Sequence, residues 1–150
     1  MERKITQETT VLVYSLNTKL SSMKTDVGEI PNKIATKAME LGLEIAGSQI
    51  WQYNGCDGNP ETPFKLAICL PVKEARSDAG EFHFEVLPEV SCISDIHEGC
   101  WSKLGDTYCR MFGEIFRRGI VPIGVSREVY HVCDFENEVN NITEVQIVVH

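Results

Sequence analysis

Shifted by 77 residues, the chain lines up with itself without a gap over most of its length. Tyr53, Cys56, Asp57 and Glu61 of the segment YNGCDGNPE fall on Tyr130, Cys133, Asp134 and Glu138 of YHVCDFENE. The same step carries Gly28 onto Gly105, Gly42 onto Gly119, Gly47 onto Gly124, Val13 onto Val90 and Val72 onto Val149. Solenoid repeats run at about 20–50 residues, so a period this long reads as a half-domain present twice. The halves span residues 8–73 and 82–150, with the polar segment KEARSDAGE between them, all within one domain covering 1–150. Two such halves meeting face to face build a cleft on their pseudo-twofold axis. Function is expected where the halves differ.

Each half reads as strand, helix, strand, strand. TTVLVYSLNTKL is β-branched and aromatic, as a strand requires. In EIPNKIATKAMELGLE, Ile34, Ala38 and Leu41 recur at helical spacing, Pro31 stands near the helix start and Gly42 suits the position after its end. GSQIWQYNG and FKLAICLPV follow as strands. The second half opens with FHFEVLPEVSCISDIHEG, a long or bent strand pattern interrupted at Pro88. It continues with CWSKLGDTYCRMFGEIFRRG, a helix with Trp101, Leu104, Tyr108, Met111, Ile115 and Phe116 near one face, and closes with IGVSREVYHV and TEVQIVVH. Two β-α-β-β units with antiparallel pairing give an α+β domain, with both helices on one face of the sheet and a ligand cleft on the other.

Alternation along the strands sorts the residues between the two faces. Val145, Ile147 and Val149 form one apolar row expected to meet the helices, leaving Glu144, Gln146 and Val148 on the opposite side. Leu66, Ile68 and Leu70 do the same in the first half, leaving Ala67, Cys69 and Pro71 opposite. Trp51 shares a face with Tyr53, and Glu128 with Tyr130. Placing these four opposite the helices gives that side an aromatic, small and acidic lining, which is a pocket composition.

Composition narrows the function classes. A net charge of −8 opposes nucleic-acid binding by this chain alone, because phosphate contacts need clustered Lys and Arg. Arg117-Arg118 is too small a basic spot and reads as a solvated helix end. MERKITQETT lacks the apolar core of a signal peptide, and no apolar run reaches the length of a membrane span, so a cytoplasmic protein with reduced cysteines is expected. The six cysteines show neither C-x-x-C nor C-x-x-H spacing, and no metal or cofactor is expected. Cys56 and Cys133 follow a strand in each half and read as turn residues, with a disulfide or metal pair as the alternative.

His97-Glu98-Gly99-Cys100-Trp101, leading into SKLGDTYCRMFGEIFRRG, resembles the H-x-G-x-aromatic lead into the second helix of GyrI-like effector-binding domains. Gly124 to Glu128-Val129-Tyr130 is similar to the family's G-x-x-x-E-x-Y strand, and Thr143-Glu144-Val145-Gln146-Ile147-Val148-Val149 to its last strand. The resemblance covers essentially the whole chain. Val148 stands where the family commonly has proline, and Trp101 where it has tyrosine. The family also serves as the ligand-sensing part of AraC-type and MerR-type multidrug-responsive regulators. No helix-turn-helix segment precedes the domain here, so a stand-alone form is expected, with a regulatory protein partner or a homodimer open to it.

The resemblance implies a site in which an acid among aromatic rings recognises lipophilic cations. The candidate ligand-binding set is Glu144 and Glu128 for charge, Tyr130, Tyr53, Trp51 and Trp101 for walls, with Cys69 and Gln146 beside them. At the 77-residue offset Glu128 is matched by Trp51 and Glu144 by Ala67, so the acids break the symmetry. A carboxylate among rings is costly to desolvate, and a bound organic cation compensates it with added cation–π attraction. The plainer readings are solvated strand acids, packing tryptophans and a structural His97. Three functions follow in order. The first is a small-molecule binding or sensing domain without catalytic residues. The second is a hydrolase of reactive electrophilic natural products that uses a pocket Glu and Tyr. The third is a DNA gyrase-inhibitor-like protein-interaction module.

Overall fold

β-branched and aromatic runs become strands wherever they are long enough to pair, and the computed structural model, which describes residues 1–150, contains seven such strands and one short polar one. They are β1 (Glu2–Ile5), β2 (Thr9–Thr18), β3 (Ile50–Asn54), β4 (Phe64–Pro71), β5 (His83–Leu87), β6 (Ser91–Glu98), β7 (Pro122–Val132) and β8 (Ile142–Val149). All pair antiparallel in one sheet of order β1-β6-β8-β7-β3-β4-β2-β5. The helices are α1 (Met23–Val27), α2 (Ile30–Glu40) and α3 (Leu104–Arg117), the last preceded by a 3-10 turn, Trp101–Lys103. The α+β class expected from the sequence is the one observed. No helix is long and apolar enough to cross a membrane.

The central strands keep the 77-residue step. Ile50–Cys69 and Trp51–Ile68 pairs in β3–β4 recur as Arg127–Gln146 and Glu128–Val145 in β7–β8. The ends of α2 and α3 match as well: Gly42 and Gly119 carry φ of 67° and 69°. Leu43 N donates to Ala38 O as Ile120 N donates to Ile115 O, closing each helix in a left-handed glycine turn. Trp51 pairs directly with Glu128 across β3–β7, so a local twofold relating β3 to β7 passes between these two residues. The gap-free offset fails at the outer strands. Val13 pairs with Cys69, and the pair equivalent to it is Ser94–Gln146, so Val13 corresponds to Ser94 and not to Val90.

Three further differences from the sequence expectations have simple causes. Pro88 ends a strand instead of bending one: β5 pairs with β2 at one end of the sheet, and β6 pairs with β8 near the other. β1 and α1, short and polar, carry no periodicity that announces them. Phe116, expected on the inner face of α3, is 66% exposed, while Thr107 is buried there.

The apolar rows land as the alternation requires. Ile34 and Ala38 of α2 pack with Leu66, Ile68 and Leu70 of β4, and Met111 and Ile115 of α3 pack with Val145, Ile147 and Val149 of β8. A third cluster, Val11, Val13, Cys69 and Leu87, is buried on the face away from the helices. Strand order explains what covers it. From Leu87 to Ser91 the chain reaches about 14 Å at most, yet six strand spacings of a flat sheet come to about 29 Å. The sheet therefore curls away from the helices until its ends approach. The segments between β1 and β2 and between β5 and β6 close over the inside, joined by Thr6 N donating to Val90 O at 2.9 Å.

Candidate functional site

Cross-strand register decides which acid meets which neighbours. Glu128 pairs with Val145 and Trp51, whose row faces the helices, whereas Glu144 pairs with Val129 and Ile96 on the other side. Tyr53, Trp51 and Tyr130 lie with Glu128 on the helix side, as does Tyr108 of α3. β7 is irregular between Pro122 and Ser126 and between Tyr130 and Val132, but the run Ser126–Tyr130 between them is regular. That regular stretch holds Glu128 and Tyr130 on one face.

Glu128 is 5% exposed and accepts three phenol hydrogen bonds. Tyr130 donates to Oε1 at 2.6 Å, Tyr53 to Oε1 at 3.2 Å and Tyr108 to Oε2 at 2.6 Å. It has no Lys, Arg or His ion-pair partner. Burial pushes its carboxyl pKa up, and the three phenols, with a smaller electrostatic contribution from His97, pull it back only in part. Burial first, and then the Glu128 charge, push all three tyrosines well above the ordinary phenol range. The phenols thus stay protonated and serve as donors.

Rings extend outward from this carboxylate. Trp51 meets Tyr130 edge-on at 5.2 Å between centroids, and Trp101 meets Tyr130 at 6.2 Å and 89°. Phe135 closes on Trp101 at 5.3 Å from the loop after β7. The indole of Trp51 donates to Gln49 Oε1 at 2.7 Å and that of Trp101 to Thr143 Oγ1 at 3.2 Å, which fixes both ring planes. His97 anchors the turn before α3. Its Nε2 faces the Cys100 carbonyl at 2.8 Å and so carries a proton, while Nδ1 lies 2.7 Å from the Thr107 hydroxyl. The sequence reading missed Tyr108 and Phe135 as site residues. Helical spacing marked Tyr108 as inward-facing, but nothing local shows that its hydroxyl reaches across to β7.

Glu144, Gln146 and Cys69 do not join this cluster, which corrects the single site expected. Glu144 is 7% exposed and saturated on the inside of the curl. Lys4 pairs with it at 2.5 Å, Gln146 donates at 2.7 Å, Ser94 donates at 2.9 Å, and His131 lies at 3.0 Å. Burial works to raise its pKa, but these partners outweigh it and hold the carboxyl at about 2. Cys69 lies in the apolar cluster of that face, where burial pushes its thiol up to about 12. A cleft of about 390 Å³ does open on this face, lined by Glu144 and Gln146, but the aromatic residues expected beside them are on the helix side. In β3 and β7 neither row is uniformly apolar: Gln52 and Arg127 alternate with Trp51 and Glu128. Alternation there shows which residues share a face without showing which face is inward.

No protein-family sequence model matches the chain, and no curated protein matches it in sequence. Solved structures match it in fold. The EcmrR C-terminal domain aligns over 99% of this chain and 96% of its own, with a TM-score of 0.81 at 18% identity. SAV2435 bound to tetraphenylphosphonium aligns over 100% of this chain and 94% of its own, with a TM-score of 0.65 at 10% identity. The chain has the GyrI-like fold. A hydrolase encoded by lin2189 from Listeria innocua is also similar, over 99% of this chain and 91% of its own, with a TM-score of 0.65 at 14% identity. Within the GyrI-like fold of this chain, the Glu128 cluster sits in the middle of the sheet, on the side where α2 and α3 pack.

Proposed function

We propose that this domain binds lipophilic organic cations over Glu128 and acts as a small-molecule-sensing module. One observation carries the reading: a carboxylate buried among Tyr53, Tyr108, Tyr130 and Trp51 with no ion-pair partner, while His97, near enough to act on it, is bonded to Thr107 and the Cys100 carbonyl. Taking such a charge out of water is costly. A cation entering between the rings supplies the missing counter-charge and gains cation–π attraction of about 0.5–2 kcal/mol per well-placed ring. The rings close over Glu128, so entry requires Trp101, Tyr130 or Phe135 to rotate outward. Phe135 is 74% exposed and costs little to move. The structural similarity to SAV2435 bound to tetraphenylphosphonium supports this ligand class.

Binding is favoured over hydrolysis because three of the roughly four acceptor positions of the carboxylate are already taken by phenols. That leaves little room to activate water. The test is a titration with tetraphenylphosphonium and with neutral triphenylphosphine oxide, followed by calorimetry and tryptophan fluorescence. The cation should bind at least about tenfold more tightly, and Glu128→Gln should remove that preference. Equal affinity for both compounds, or a preference unchanged in Glu128→Gln, would overturn the reading. Release of a product from an electrophilic ester or epoxide, lost in Glu128→Gln, would favour the hydrolase instead.

A further inference from the structure

Inside the curl of the sheet, Arg127 presents the converse of the Glu128 problem. It is 3% exposed, and its three bonds all go to neutral oxygens: Nε to Gln52 Oε1 at 2.8 Å, Nη1 to Thr6 Oγ1 at 3.4 Å and Nη2 to the Pro88 carbonyl at 3.3 Å. A guanidinium carries five N–H donors, so one on Nη1 and one on Nη2 are without a partner. No carboxylate pairs with it. Glu144, the acid on the same face, is committed to Lys4, and its pairing there leaves the Arg127 charge uncompensated. Burial is the main influence on the guanidinium and lowers its pKa, as expected of a cation short of anions.

Arg127 lines the cleft of about 390 Å³ on this face, together with Lys4, His131, Glu144 and an apolar wall that includes Ile50, Leu87 and Val129. That volume falls in the range of small-molecule sites. We propose that this cleft is a second binding site, for a small organic carboxylate with an apolar body, seated on the free Nη1–H and Nη2–H of Arg127. Two donors on one guanidinium can meet the two oxygens of one carboxylate. The charge count selects a monoanion: Lys4 and Glu144 cancel, leaving one positive charge, and a dianion would face Glu144. The apolar wall selects an organic body over a bare inorganic ion. The site is independent of the cation cluster, because Arg127 and Glu128 point to opposite faces of β7.

The experiment titrates the intact chain with benzoate, with neutral benzamide and with inorganic phosphate at constant ionic strength. The readouts are the Arg127 Nε–Hε resonance, assigned by through-bond correlation to its backbone, and the melting temperature. Benzoate should shift that resonance saturably and raise the melting temperature, with at least tenfold weaker response to benzamide. The benzoate response should be lost in Arg127→Gln and kept in Glu128→Gln. A benzamide response equal to that of benzoate, a response to phosphate alone, or a benzoate response that survives Arg127→Gln would overturn the assignment. If Arg127→Gln does not fold, because Arg127 also ties down Thr6 and Pro88, the wild-type resonance still decides.

Discussion

Arg127 and Glu128 are consecutive, oppositely charged and both buried, yet neither neutralises the other. Strand alternation sends Glu128 to the helix side and Arg127 to the inside of the curl, with the sheet between them. Around Glu128 the register places Trp51 and Val145; around Arg127 it places Gln52 and Gln146. Each charge is therefore held by neutral donors or acceptors on its own face.

Glu128→Gln should leave the protein at least as stable as wild type at neutral pH. Burial raises this carboxyl above its ordinary 4.5, so the folded state holds the proton more tightly than the unfolded chain. Its ionisation then costs stability above the folded pKa, and that cost disappears as the pH falls to 4.5 and below. Melting curves of both proteins from pH 4 to pH 8 check this. The advantage of the variant should grow with pH and vanish at the acid end.

Tyr130→Phe and Tyr108→Phe each remove a 2.6 Å donor from a buried carboxylate. Each should cost about 1.5–3 kcal/mol in denaturant unfolding. Tyr53→Phe, whose bond to Glu128 is 3.2 Å, should cost less. If all three costs are equal, hydroxyl geometry is not what sets them.

Glu144→Gln should destabilise the fold without changing affinity for tetraphenylphosphonium. The folded pKa of about 2 lies below the ordinary 4.5, so ionised Glu144 contributes stability that is fully present above 4.5 and lost as the pH falls toward 2. The variant should lose about 1–2 kcal/mol at pH 7, less than the full shift implies because Lys4 and His131 are partly in solvent, and the gap to wild type should close in acid. A large loss of cation affinity in this variant would place the cation on the wrong face.

Gly119→Ala should cost about 1–2 kcal/mol, the ordinary penalty for a side chain in a left-handed turn. The residue has a φ of 69°, and nothing lies within 4 Å of an added Cβ, so the cost is conformational. Gly113→Ala, in the body of α3 with equally open space, should instead stabilise by about 0.5–1 kcal/mol. Thermal unfolding of the two variants separates backbone conformation from packing.

The chain's own pattern determined its strands other than β1 and the break at Pro88, its two long helices, and the apolar rows Leu66–Ile68–Leu70 and Val145–Ile147–Val149 that bury against them. These follow from periods of 2 and 3.6 residues, which are local properties. The residue types of the Glu128 site were legible too, since a glutamate two residues from a tyrosine on one strand shares its face. The tertiary structure decided the rest. Which face Glu128 and Glu144 occupy depends on pairing with β8 and β3, and a period of two assigns residues to sides without naming the sides. Tyr108 reaches Glu128 only because α3 packs over β7. Pro88 separates two strands at opposite ends of the sheet only because the sheet curls. That curl, a consequence of strand order and short connections, is also what buries Arg127 without an anion.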